Sequence, residues 1–112
     1  MKITQNDALK GVAKVLEDFA GMGDLTGQQL RAFLLIARQG RITGQDIIKD
    51  LGISKANASR SLAVLSDDVM PGRKAPTLGL ITYERDVHDK RYRYVVLTEK
   101  GKALIRTWPT YF

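Results

Sequence analysis

The sequence predicts an α+β fold, a helical core carrying a two-stranded β-hairpin, and three stretches predict it. Residues 43–65, TGQDIIKDLGISKANASRSLAVL, read as two short helices joined by a glycine turn. Residues 78–86 (LGLITYERD) and 92–98 (YRYVVLT) are rich in β-branched and aromatic residues, as strands are. The short polar run VHDKR joins those two segments. A helix-turn-helix followed by a β-hairpin is the plan of a winged helix-turn-helix. The whole of 1–112 then reads as one domain, with an N-terminal helix and loop (1–24), a winged-helix core (25–107) and an aromatic tail (108–112).

The elements follow in order. Over residues 4–20, Leu9, Val12, Ala13, Leu16, Phe19 and Ala20 recur at helical spacing, and Gly21, Gly23 and Asp24 break the pattern. Thr26 and Gln29 make a capping box, each side chain able to accept from the other's backbone N–H. The helix they open is expected to bury Leu30, Phe33, Leu34 and Ala37 and to end near Gly40. Both stripes read as core rather than as a ligand pocket. The face of the first helix can pack on its own domain or on another copy of the chain, because an exposed stripe is a liability in a small domain. Thr43 caps the third helix, Asp46 adds favourable charge to its first turn, and Ile47, Ile48 and Leu51 line its apolar side. Gly52 stops that helix with a positive φ, Ile53 plugs the corner, and Ser54 caps the next helix.

That fourth helix carries the functional reading. Ala58, Leu62 and Leu65 place an apolar seam toward the core, and Ala56, Arg60 and Ala63 lie opposite, flanked by Asn57 and Ser59. Alanine and serine keep the outer surface low, so the backbone can approach the floor of a DNA major groove. Asn57 and Arg60 are suited to base edges, asparagine to adenine and arginine to guanine. Lys55 and the Ser54 cap suit phosphates, and Thr43 joins them as a candidate contact at the neighbouring helix start. The alternative is an ordinary amphipathic helix whose polar side faces water. In the hairpin, Arg85, Lys90, Arg91 and Arg93 crowd together, and such side chains at a tip can enter a narrow minor groove. Asp89 can pair with Arg91 and hold its guanidinium in one pose, or the two can simply stabilise a tight turn. His88, the sole histidine, lies in the same connection, solvent-exposed or near a phosphate.

The run from Leu25 to Leu104 resembles the winged-helix core of MarR-type bacterial transcription regulators. The residues that carry the likeness are LTGQQLRAFLLIARQG, ITGQDIIKDLGISKANASRSLAVL, GLITYERDVHDKR and VVLTEKGKALI. Asp89-Lys90-Arg91 matches the family's Asp-x-Arg wing motif, and Leu97 to Gly101 matches the segment that closes the wing. The resemblance implies DNA binding by the helix at 54–66 and the wing at 86–93. The chain departs from the family in two places. Only fourteen residues follow Thr98, leaving one short helix (99–107) and the tail Trp108-Pro109-Thr110-Tyr111-Phe112. This reads as a short variant without the long C-terminal dimerisation helices, which argues against a small-molecule effector pocket. A homodimer would form through the N-terminal helix or the tail. The second departure is SDDVMPGRKAPT, 66–77, a Pro- and Gly-containing loop where Arg73 and Lys74 either add a phosphate contact or belong to a plain surface insertion, the preferred reading.

Composition agrees. The 18 basic residues exceed the 12 acidic ones, and the excess sits after residue 53, where eleven basic face six acidic residues. Before that point the counts are seven and six. That asymmetry is the footprint of a polyanion-binding face. A membrane surface is excluded as partner by the lack of a long apolar run or basic amphipathic anchor. The polar start MKITQNDALK has no signal peptide, and a cytoplasmic location is expected. With no cysteine there is no disulfide, thiolate metal site or thiol switch. A lone histidine and the adjacent Asp67 and Asp68, whose side chains diverge on a helix, supply no catalytic pair, so no enzyme, cofactor or metal is expected. Three classes remain: a sequence-specific double-stranded DNA-binding regulator of transcription, a DNA-binding accessory protein in replication or partition, and a winged-helix module that binds protein.

Overall fold

The computed structural model describes residues 4–23, 25–67, 77–89 and 92–108. Its elements run α1 (Gln5–Ala20), α2 (Gly27–Gln39), β1 (Arg41–Thr43), α3 (Gly44–Leu51), α4 (Lys55–Leu65), β2 (Ile81–Arg85), β3 (Arg93–Leu97) and α5 (Glu99–Arg106). Each helix begins at a hydroxyl residue, Thr4, Thr26, Thr43, Ser54 or Thr98, whose oxygen accepts a backbone N–H of the first turn. At Thr26 the predicted capping box is present, and Thr4 forms a second one with Asp7. Such caps place the helix starts with little help from packing, each contributing about 1 kcal/mol.

The hairpin is wider than the two strands expected. β3 is the middle of a three-stranded antiparallel sheet in the order β1-β3-β2, with Thr43 opposite Tyr94 on one side and Glu84 opposite Tyr94 on the other. The third strand is the three-residue RIT before α3, too short to announce itself by alternation. The hairpin strands are shorter than 78–86 and 92–98 because Leu78, Gly79 and Leu80 turn aside. Their N–H groups donate to the carbonyls of Val64, Ser66 and Leu65, which the end of α4 leaves without helical partners.

Helix α2 is the pillar of the core and packs on α3, α4, β1 and β3. Phe33, Ile36, Ile47, Leu65, Leu80, Ile81 and Val95 are its fully buried large side chains and those they meet, each stabilising the fold by about 1.5–3 kcal/mol. The covered arc of α2 is Ala32, Phe33, Leu35 and Ile36. Leu34, expected inside, is 42% exposed, because helices and sheet meet α2 along the line between Phe33 and Ile36. Leu30 and Ala37 are partly buried at the margin.

The stripe of α1 is the larger correction. Only Phe19 is buried, while Leu9, Val12 and Leu16 are 50–62% exposed. The helix is held by its C-terminal end. Phe19 meets Phe33 edge-on at 5.2 Å, and Trp108 closes the triangle with its ring 6.0 Å from both. Trp108 thus packs inward rather than forming a free aromatic tail, and residues 109–112 of that tail lie outside the described residues. Its indole N–H donates to Asp18 Oδ2 at 2.7 Å, and Lys14 donates to Oδ1 at 2.8 Å. Lys14 first, then the indole, holds the Asp18 carboxyl below its usual range. Among the described residues, no helix is long and apolar enough to cross a membrane.

The sheet is locked to α5 by a dense seam. Thr98 donates from its hydroxyl to the Gly79 carbonyl at 2.6 Å and from its N–H to the Leu80 carbonyl at 3.0 Å. Gly101 packs directly over Leu80, where a Cβ would fall 2.3 Å from the carbonyl oxygen. Gly101→Ala should therefore cost about 1–3 kcal/mol, since the obstacle is backbone and cannot swing away; urea unfolding will measure it. Asp18 makes a second prediction. Because its folded-state pKa is lowered, its contribution is complete above the usual carboxylate range and is lost as pH falls through the lowered value. Thermal melting between about pH 5 and pH 2 should fall less steeply in Asp18→Asn than in the unaltered chain, with Trp108 fluorescence following the same transition.

Candidate nucleic-acid interface

Helix α3, the Gly52 turn and α4 form the helix-turn-helix that the sequence predicts. Gly52 has φ 64° and ψ 38°, the left-handed conformation that ends α3, and its N–H returns to the Ile48 carbonyl. Ala58, Leu62 and Leu65 of α4 are buried, as is Ser61. Ala56, Ser59 and Arg60 are exposed on the other side with Lys55, and Asn57 is half-buried among them. Leucine on one flank and small or polar residues on the other leave the outer surface of α4 close to its backbone.

Two of the predicted contacts have work inside the chain. The Thr43 hydroxyl accepts from the Asp46 N–H at 3.2 Å, and that of Ser54 accepts from the Asn57 N–H at 3.1 Å. Asn57 and Arg60, one turn apart, are joined, the guanidinium donating to the Asn57 side-chain oxygen. The two side chains expected to suit base edges are thus linked, and each limits the other's poses.

Facing α4 across an open cleft of about 630 Å³ stands the hairpin. Lys55, Ser59 and Ala63 line one wall, Tyr83, Tyr92 and Arg93 the other, and Ile48, Leu62 and Val95 the floor. Arg93 lies directly opposite Arg85 in the strand register, both exposed. Like charges so placed repel, which leaves this end of the sheet ready for an anion. The Arg93 guanidinium stands 4.9 Å from the Tyr83 ring centroid, a contact that steers it along the cleft wall. His88 is exposed and Asp89 partly buried at the hairpin end. Arg73, Lys74, Lys90 and Arg91 lie outside the described residues, and with them the Asp89–Arg91 pairing.

The sequence reading missed the residue that organises this end. Asp86 Oδ1 accepts the N–H of His88 at 2.8 Å and of Asp89 at 3.1 Å, and Oδ2 accepts the Tyr94 hydroxyl at 3.1 Å. Those bonds, led by the His88 N–H, lower the Asp86 pKa, and the same carboxylate raises that of Tyr94. An aspartate two and three residues before the amides it binds is an Asx-turn signal that could have been read. Among the described residues, no three metal-ligating side chains gather.

Comparison with known proteins places this geometry. A profile of the MarR family matches residues 23–68. No curated protein matches. Solved structures do: the transcriptional regulator Tm0710 of Thermotoga maritima is 26% identical with a TM-score of 0.63, over 88% of this chain and 58% of that one. The adhesin competence repressor AdcR of Streptococcus pyogenes is 24% identical with a TM-score of 0.58, over 94% and 70%. A mutant MarR of E. coli complexed with operator DNA is 22% identical with a TM-score of 0.61, over 89% and 64%. The chain thus spans between 58% and 70% of the lengths of these proteins.

Proposed function

We propose that this chain, a winged helix-turn-helix of the MarR type, is a sequence-specific double-stranded DNA-binding protein that regulates transcription. The observation that carries the reading is the cleft, with a low polar face of α4 on one side and an arginine-bearing hairpin on the other. Helix α4 enters a major groove, and the wing reaches the adjoining backbone or minor groove. The phosphate strand between those two grooves then lies along the cleft, where Lys55, Ser59 and Arg93 meet it from both walls. The linked Asn57 and Arg60 read base edges, and Arg85 and Arg93 contribute phosphate contacts that set affinity without sequence. Lys90 and Arg91 extend the wing's basic set in the same role, with Arg73 and Lys74 as the outlying candidates.

The exposed Leu9, Val12 and Leu16 of α1 are the surface by which two copies pair, giving a protein that reads an inverted repeat with half-sites about one helical turn apart. Val12→Glu should convert the dimer to monomers in sedimentation velocity; an unchanged sedimentation coefficient would remove α1 from the interface.

The direct test is a titration of the protein against the DNA upstream of its own gene, with random duplex as competitor. Binding that survives competition supports a specific regulator, and binding lost equally to any duplex leaves an accessory role in replication or partition. Absence of binding moves the protein-interaction alternative to the front. Arg60→Ala should weaken specific binding by about 1–3 kcal/mol and relax preference at one base position. Arg93→Ala should weaken binding to all sequences alike and lower the salt dependence by about one counterion. An equal loss on specific and random DNA for Arg60→Ala would sink its base-reading role.

A further inference from the structure

We infer that Asp86, Tyr94 and Arg41 form a brace behind the hairpin and are positioning residues for the wing. The inference rests on the DNA-binding reading above and assigns those residues a task within it. Strand alternation separates the two faces of the sheet. Tyr83 and Val95, opposite each other, belong to the cleft side, whereas Glu84 and Tyr94, also opposite each other, share the other face. The brace therefore stands where no DNA contact has been placed.

It has three joints. At the hairpin end, one carboxylate takes the N–H groups of His88 and Asp89 and the hydroxyl of Tyr94. Tyr94 lies in the central strand, and its ring carries the Arg41 guanidinium at 3.8 Å. Arg41 also reaches Glu84 of the outer strand at 3.9 Å and opens β1, whose last residue, Thr43, caps the helix-turn-helix. These contacts link the wing end to all three strands, and the outermost of them, β1, leads along the chain into α3.

The need for such a brace follows from the ladder. Its last pair is Arg85 with Arg93. Beyond it, among the described residues, the backbone bonds are Asp86 N–H to the Tyr92 carbonyl and Tyr92 N–H to the Asp89 carbonyl. A two-stranded ribbon is marginal on its own, and charged side chains on a loose tip lose affinity to the entropy of ordering. The Asp86 carboxylate, an ionised acceptor, makes stronger bonds than a neutral one and ties the turn to a strand paired on both edges. The wing is then set relative to α4 before DNA arrives.

Tyr94→Phe deletes only the hydroxyl and leaves the ring under Arg41. Its binding to a fluorescein-labelled mixed-sequence duplex should weaken about three- to tenfold, the range of one ordinary net hydrogen bond. The dependence of affinity on salt should also become shallower, because phosphate contacts of the wing are lost with its pose. The melting temperature should fall by no more than a few degrees, the loss of one hydrogen bond. Asp86→Asn, which keeps shape but removes the charge, should act in the same direction, and adding Tyr94→Phe to it should cost little more. If Tyr94→Phe keeps both its affinity and its salt slope, the brace does not position the wing. A lowered melting temperature with unaltered salt slope in both variants would reduce it to a plain stabilising contact and overturn the inference equally. Failure of the DNA-binding reading looks different, since the unaltered chain would then bind no duplex.

Discussion

Everything in this molecule depends on β3 being paired on both edges. A hairpin alone would swing as a ribbon, and a three-residue strand alone would not exist. Hydrogen-bonded between β1 and β2, β3 turns both into one sheet whose Val95 and Leu97 are buried with the α2 core. Because β1 runs without a break into the Thr43 cap, the same sheet fixes where α3 starts and so how the helix-turn-helix is aimed. Because β2 and β3 continue outward as the wing, it also fixes where the arginines stand. The two halves of the cleft share one support.

That support explains the division of labour between the faces of the sheet. The inner end is apolar and anchored by the seam of Thr98 and Gly101 against Gly79 and Leu80. The outer end is charged on the cleft side and braced by polar contacts behind. Basic groups are left exposed where an anion can reach them, while the acidic Glu84 and Asp86 are engaged away from the cleft. The net charge of +6 matters less than this sorting of signs.

Much of this was legible in the residues, and for local reasons. Caps at Thr26, Thr43 and Ser54 and the left-handed Gly52 are written in residue type and position, so the helix-turn-helix could be read almost to the residue. The seam Ala58, Leu62, Leu65 followed from helical period. What escaped is what depends on partners distant in sequence. The RIT strand exists only because β3 offers an edge. Leu34 falls outside because α2 is covered along a line that several elements set together. The α1 stripe was visible as a face, but periodicity says nothing about what covers a face, and the fold itself covers only its Phe19 end. The bond between Asn57 and Arg60 and the many-handed role of Asp86 arise from side-chain geometry after the backbone is placed. The four basic residues at 73, 74, 90 and 91 remain readings of the sequence.

The backbone bonds at the end of α4 have one more consequence. Leu78 donates to the Val64 carbonyl, and the Asp67 N–H donates to that of Ile81, so residues 64–67 and 78–81 are clasped side by side. The clasp thus ties the end of α4 directly to the start of β2, and the two walls of the cleft keep their spacing through those bonds.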